Sequence, residues 1–225
     1  MNASPTLSLR VRGNVACFTR PELKAERVSY PVLTPSAARG VIEAILWKPA
    51  IRWRLERIKL LSPIRWTAFR RNEVSSRASS PSVAVVDRGG AAPMLLADEN
   101  RAQRNTVALR DVDYVIEARF EMTDKAGRED NVTKFVEMFN RRVANGQHFH
   151  QPYLGCREFI ADVSPVTPET PQPIDETRDL GLMLWDLDFD KGKGRPRFFR
   201  ATLSQGVLEV PADPESTLAQ TEDAA

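Results

Sequence analysis

An α+β fold is what this chain of 225 residues predicts. Three observations predict it: segments that alternate apolar and polar residues, segments with apolar residues at helical spacing, and an order that sets one helix after the first strand and a second before the last. The alternating segments read as strands with one buried face, because successive strand side chains point to opposite sides of a sheet.

Leu7, Leu9 and Val11 alternate with Ser8, Arg10 and Arg12 as far as Gly13, a first strand with arginines on its open face. Thr34 then supplies an N-cap and Pro35 the first helical position, and "SAARGVIEAILW" keeps apolar residues at helical spacing until Pro49 stops it. In "IRWRLERIKLL" the apolar residues fall on odd positions from Ile51 to Leu55 and on even positions from Ile58 to Leu60, so a second strand with a bulge near Glu56 and Arg57 is expected. Residues 72–106 mix Ser, Gly, Pro and Arg without a sustained period and read as a long inserted loop. Val112, Tyr114, Ile116, Ala118, Phe120 and Met122 then line one face of a third strand, opposite Asp113, Val115, Glu117, Arg119 and Glu121.

A second helix is expected over 129–144, with Val132, Phe135, Val136, Phe139 and Val143 as its apolar stripe and Gly146 just past its end. "CREFIADV" completes the series as a fourth strand. Strand, helix, strand, strand, helix, strand is the ferredoxin-like order, the frame of an RRM-like domain, whose usual product is a four-stranded antiparallel sheet backed by two helices. That domain is expected over residues 1–165. Residues 166–210, with "LGLMLWDLDF" and a Ser-Gln-Gly turn in "FFRATLSQGVLEV", should add a C-terminal β-extension. Residues 211–225, acidic and poor in apolar side chains, read as a disordered tail.

Composition narrows the function classes. Hydrophobic residues are 42% and charged residues 28% of the chain, which suits a globular protein with a real core. No apolar run approaches the roughly 18 residues a membrane span needs, and the N-terminus lacks a signal-like apolar stretch, so a cytoplasmic protein with no membrane partner is expected. Cys17 and Cys156 are far apart and outside any CxxC spacing, which argues against a disulfide framework or a zinc knuckle. No Walker loop, GxGxxG, GxSxG or paired-carboxylate motif is present, so no cofactor is expected.

Net charge is only +2, but its distribution is uneven. Lys48, Arg52, Arg54, Arg57, Lys59, Arg65, Arg70 and Arg71 face a single acid, Glu56, within the same stretch. Trp47, Trp53, Trp66 and Phe69 are interleaved with them. Guanidinium forks pair with phosphates and aromatic rings stack on unpaired bases, so the block suits single-stranded RNA. A second reading stays open, in which the tryptophans belong to the core and the arginines solvate an exposed strand. "KGKGRPRFFR", Lys191 to Arg200, has the same basic character in weaker form. His148 and His150 are the only histidines. Either could move a proton near neutral pH or simply bond to backbone in a loop; without further ligands at suitable spacing no metal site is expected.

The segments "ACFTRPELKAERVSYPVLTPSAARGVIEAILWKPAIRW", "LRDVDYVIEARFE" and "FNRRVANGQHFHQPYLGCREF" together resemble the Cas-five family of CRISPR-associated proteins, in the form found in subtype I-C. The resemblance runs from about Leu7 to Val210. It implies a subunit that cuts precursor crRNA at the base of the repeat hairpin without metal and stays on the 5′ handle. It further implies a place at one end of a Cascade complex, beside the backbone and large subunits, with target DNA near the PAM end as a further partner. Candidate RNA contacts are Arg10, Arg12, Arg20, Lys24, Arg27, Trp47, Lys48, Arg52, Arg54, Arg70, Arg71, Arg141 and Arg142.

The family's catalytic Tyr, Lys and His positions correspond to Leu46, Lys134 and Phe135, and only the lysine matches. Cleavage without metal needs a base for the 2′-hydroxyl, an acid for the leaving 5′ oxygen and a cation for the charged phosphorane. Lys134 can be the cation; Leu46 and Phe135 can be neither acid nor base. Two readings follow. The chain is an endoribonuclease whose proton transfers come from His148, His150, Tyr30 or Tyr114, or from positioning alone; or it is a non-cleaving RNA-binding and assembly subunit. An unrelated ferredoxin-like enzyme acting on small molecules lacks any pocket motif to support it.

Overall fold

The structure, a computed structural model, describes residues 2–23, 25–77, 83–89, 95–188 and 194–219. In chain order its elements are β1 (Leu7–Ala16), β2 (Arg27–Val28), α1 (Pro35–Ile45), β3 (Ile51–Leu60), β4 (Trp66–Val74), α2 (Val83–Asp87), β5 (Arg101–Met122), α3 (Val132–Ala144), β6 (Asp162–Ser164), β7 (Arg178–Asp188), β8 (Arg195–Ser204), β9 (Val207–Glu209) and α4 (Glu215–Ala219). The described strands form one mixed α/β assembly around a sheet ordered β6-β1-β5-β3-β9-β8-β7, antiparallel along that path. The two-residue β2 joins β5 in parallel, and β4 also pairs with β5.

β5 is the spine, twice the length of its expected strand. Its first nine residues pair with β4 from Arg101↔Val74 to Leu109↔Trp66, and its last nine pair with β3. Both ends of the segment 72–106 are therefore strand, and the expected loop is shorter than its composition implied. Ser, Gly and Arg set no period there because both faces of this outer hairpin are wet, as the alternating exposed and half-exposed residues of β4 record. Asp111, in the left-handed region at φ 53°, lies where pairing with β4 gives way to pairing with β3.

The apolar face expected of the strands is the face that α1 and α3 cover. Leu9, Val11, Ile58, Tyr114, Ile116, Phe120, Phe135 and Phe139 are all buried in one continuous core. Trp53 packs edge-on against Phe120 and at 5.1 Å from Phe139, linking β3 and β5 to α3. The expected bulge is present: Leu55 faces Ala118 and Arg57 faces Glu117, leaving Glu56 unpaired on this side. Its carbonyl instead accepts from Val210 N at 2.9 Å. The C-terminal strands thus continue the same sheet, because β9 pairs with Arg57–Lys59 just beyond the bulge.

Three boundaries differ from the expectation. α1 ends at Ile45 and not at Pro49: Leu46 is already extended, its side chain sunk in the core and its carbonyl accepting from Trp53 Nε1 at 2.9 Å. Of the expected fourth strand only Asp162 and Val163 pair with β1 and Ile160 makes a single bridge to Tyr153, since Cys156–Phe159 closes a turn through Phe159 N to Cys156 O. Part of the tail is ordered, because α4 packs on β8, with Arg200 N donating to Thr217 Oγ1; residues 220–225 lie outside the described set.

The β8–β9 hairpin has the two-residue turn its sequence calls for. Gln205 and Gly206 both have positive φ, 48° and 72°, the pairing that matches strand twist. Gly206 is enclosed as well as turned: a Cβ there would lie 2.3 Å from Ile174 O, while Gly206 O accepts from Leu60 N. Gly206→Ala is expected to lower stability by about 2 kcal/mol, read as a fall of about 4–8 °C in the melting midpoint; an unchanged midpoint would show that the Ile174 strap yields freely.

Candidate nucleic-acid interface

The cationic block is not uncompensated. Acids from β5, some sixty residues away in sequence, stand opposite the basic residues of β3: Arg54 lies 3.3 Å from Glu121, Arg57 2.6 Å from Glu117, and Lys59 pairs with the other Glu117 oxygen. Arg65 pairs with Asp111 and Arg71 with Glu73 and Glu158. On β1, Arg10 makes two bonds to Asp113 and Arg12 pairs with Asp162. Cross-strand neighbours lie about 5 Å apart at Cβ, so opposite charges there are effectively one unit. The open sheet face is a lattice of ion pairs, in which Arg10, Arg12, Arg54 and Arg71 each already have a carboxylate partner. The two tryptophans divide between the earlier alternatives: Trp53 is core, Trp66 is exposed.

A second group lies together at another place. Arg20 sits 4.5 Å over the Tyr30 ring. Arg27 contacts Glu73, Glu158 and, at 3.3 Å, the Sγ of Cys156. Cys17 and Cys156 are both buried free thiols, and the Cys156 thiol is drawn below its ordinary range by the hydrogen bond from Cys17 and then by the Arg27 charge. Arg70 is exposed with no ion pair among the described residues. Lys24 lies outside the described residues, as do Lys191 and Lys193 of the second basic stretch; of the latter, Arg197 faces Trp185, Asp213 and Glu215, and Arg200 pairs with Asp179.

The remaining candidates converge on one corner, where α1 gives way to β3. Sinking Leu46 turns Trp47 outward, 58% exposed, with Lys48 exposed beside it. The 123–130 loop is tied to this turn by Thr123 Oγ1 donating to Pro49 O at 2.6 Å and Thr123 N donating to Ala50 O. It leads into α3, whose N-cap Asn131 accepts from Lys134 N. Lys134 Nζ lies 2.9 Å from Asp130 Oδ1, and this bond, with Gly127 N–H on the other oxygen, holds the Asp130 carboxyl below its ordinary range; Lys48 adds to the effect. The free N–H groups and dipole of the helix start reinforce the positive potential around Lys134.

The far end of α3 closes the corner. Gly146, at φ 63°, carries a Schellman turn, with Gly146 N bonded to Val143 O and Gln147 N to Arg142 O. This turn sends residues 148–150 across the last turn of α1, where Phe149 N donates to Ala44 O at 2.8 Å. Arg142 caps the same helix by donating to Ile45 O at 2.6 Å, so it acts as a positioning cation; Arg141 stays exposed and makes no ion pair among the described residues. His148 and His150, exposed, therefore sit beside the end of α1 and not in an isolated loop.

Leu46 and Phe135, at 0% and 2% exposure, are inside the core. They are packing residues, not acids or bases. Tyr30 and Tyr114 are also buried, and burial raises both phenols above their ordinary range, which removes them from the proton-transfer candidates. Lys134, His148 and His150 remain. No hydrogen bond joins either histidine to Lys134, and the eight residues from Lys134 to Arg142 span about 12 Å of helix. A cleft of about 810 Å³ runs from this corner along the unpaired edge of β3, from Trp47 and Lys48 past Arg52 to Trp185 and Val210. Arg52 is exposed in it without an ion pair among the described residues. Among the described residues no three His, Cys, Asp or Glu side chains converge as a ligand set.

Residues 6–211 match the family model described as CRISPR-associated protein (Cas_Cas5), in its Cas5d form. A relative from Mannheimia succiniciproducens, named CRISPR pre-crRNA endoribonuclease Cas5d, is 47% identical over 213 residues, covering 91% of this chain and 94% of its own. A relative of the same name from Thermus thermophilus is 41% identical over 235 residues, covering 96% of each. Among solved structures, a CRISPR-associated protein superposes with a TM-score of 0.68 at 21% identity, covering 94% of both chains. A chain of a CRISPR RNA-guided surveillance complex superposes with a TM-score of 0.51 at 14% identity, covering 96% of this chain and 98% of its own. The two structural likenesses bear on the fold alone.

Proposed function

The chain belongs to the Cas5d family of CRISPR-associated proteins, and from that premise we propose that it cuts precursor CRISPR RNA, keeps the 5′ handle and serves as a subunit of a subtype I-C Cascade complex. The observation that carries the cleavage reading is the identity of 41–47% to two relatives named as pre-crRNA endoribonucleases, over more than nine-tenths of each chain. The corner of α1, β3 and α3 supports it. A cation at a helix start, exposed Trp47 and Lys48, and two histidines frame a surface that a single RNA strand can cross.

In this reading Lys134 and the start of α3 stabilise the phosphorane and positioning of the strand supplies the rest of the rate, while His148 and His150, at the other end of α3, contact the same strand at another nucleotide. The β6-β1-β5-β3 order, antiparallel throughout, supports a ferredoxin-like, RRM-like frame, because two split βαβ units interleave in that way. We retain the division into an RRM-like part, 1–165, and a β-extension, 166–210. Backbone and large subunits, and target DNA at the PAM end, are partners of the complex we propose. A cytoplasmic location goes with that role; no helix among the described residues is long and apolar enough to cross a membrane.

Cognate repeat RNA incubated with the protein in EDTA is expected to give one discrete cut on a denaturing gel. Binding should weaken about 100-fold from 50 to 200 mM salt if about five phosphates are held. An intact repeat, bound with that salt dependence, would overturn cleavage and leave the binding and assembly role, which the burial of Leu46 and Phe135 favours.

A further inference from the structure

We propose that Phe149 is a stacking platform for an unpaired nucleobase of RNA crossing the corner, an inference that rests on the RNA-binding reading above. Phe149 is 86% exposed, more than any other large apolar side chain among the described residues. It is nevertheless not on a loose segment: its N–H donates to Ala44 O at 2.8 Å, directly after the Schellman turn at Gly146, and its ring stands edge-on to His150 at 5.9 Å. A ring held out by a fixed backbone has already lost the freedom it would otherwise lose on binding.

The surroundings favour a polyanion carrying aromatic bases over a protein surface. No acidic residue occurs in the sequence between Glu137 and Glu158, whereas Arg141, His148, His150 and Arg157 all do. Arg141 is exposed and makes no ion pair among the described residues. Trp47, the other exposed ring of the corner, follows Ala44 by three residues, so two rings stand on segments joined at Ala44 O, which accepts from both Phe149 N and His150 N. Rings interleaved with free cations are how single strands are held without sequence readout. An adhesive patch for a protein would instead need contiguous apolar area, and the residues around Phe149 are polar.

The test is binding of fluorescein-labelled repeat RNA to the full chain, followed by anisotropy. Phe149→Ala is expected to weaken binding by about 5- to 100-fold, with the salt slope unchanged because no charge is removed. Phe149→Trp should bind within about twofold of the unaltered chain, and Phe149→Leu should behave like alanine, since leucine is apolar but offers no π-face. Affinity unchanged in Phe149→Ala, or fully kept in Phe149→Leu, would overturn the platform, the second outcome pointing to a plain apolar contact such as a protein would make. If the unaltered chain itself fails to bind, the RNA reading falls, and the two failures are thereby told apart.

Discussion

Lys134→Ala is expected to cut the rate of repeat-RNA cleavage by about 100- to 1000-fold while RNA affinity changes less than about tenfold. The expected size follows from the removal of one preorganised positive group aimed at a developing phosphorane charge, an interaction stronger in the transition state than in the ground state. Lys134 is the one ionisable group among the three family positions, and it stands in the first turn of α3, where the backbone N–H groups favour an anion. Its salt bridge to Asp130 is screened by solvent, and alanine is the best helix former, so the fold should persist. Lys134→Arg keeps the charge but not a transferable proton; partial activity there would assign Lys134 an electrostatic role, and none would assign it a proton as well. A single-turnover rate unchanged in Lys134→Ala would remove Lys134 from the chemistry.

Trp53→Ala is expected to cost about 3–5 kcal/mol, or roughly 6–20 °C in the melting midpoint of a chain this size. Trp53 fills the junction of β3, β5 and α3 against Phe120 and Phe139, and its indole N–H is the partner of Leu46 O at the end of α1. Removing it opens a cavity and leaves a buried carbonyl unpaired. Trp53→Phe separates these effects: it keeps most of the ring and loses the hydrogen bond, so about 1–3 kcal/mol is expected. Both variants should loosen the turn that presents Trp47 and Lys48, and thermal denaturation alongside RNA binding would show stability and affinity falling together. A midpoint unmoved in Trp53→Ala would mean that the α1–β3 junction is held elsewhere.

Much of the frame was legible in the chain before any coordinates. The strands with one apolar face, the N-cap at Thr34, the bulge after Leu55, the turn at Gln205-Gly206 and the glycine after α3 all follow from spacing and local chemistry, and the fold bears them out. The outer half of β5 was hidden because a strand with two wet faces has no apolar period to read. Leu46 looked helical because apolar spacing continues to Trp47; what ended the helix was the pull of the core on Leu46 and a hydrogen bond from Trp53, seven residues on.

For the candidate site, residue types were informative and charge counting was misleading. Eight basic residues against one acid looked like a phosphate-binding strand, yet Glu117 and Glu121 meet Arg57 and Arg54 across the ladder. His148, Phe149 and His150 carry only a loop signal in the sequence, because nothing local says that residues 148–150 cross the end of α1. The sequence by itself determined the helices and strands that bury one apolar face, which face that is, and which positions lack acid or base groups, since these depend on neighbours within a few residues. Only the tertiary structure decided which charges are free and which side chains share a corner. Those depend on pairing between segments sixty to a hundred residues apart, where an ion pair or a hydrogen bond is set by register and turn geometry and leaves no trace in either segment alone.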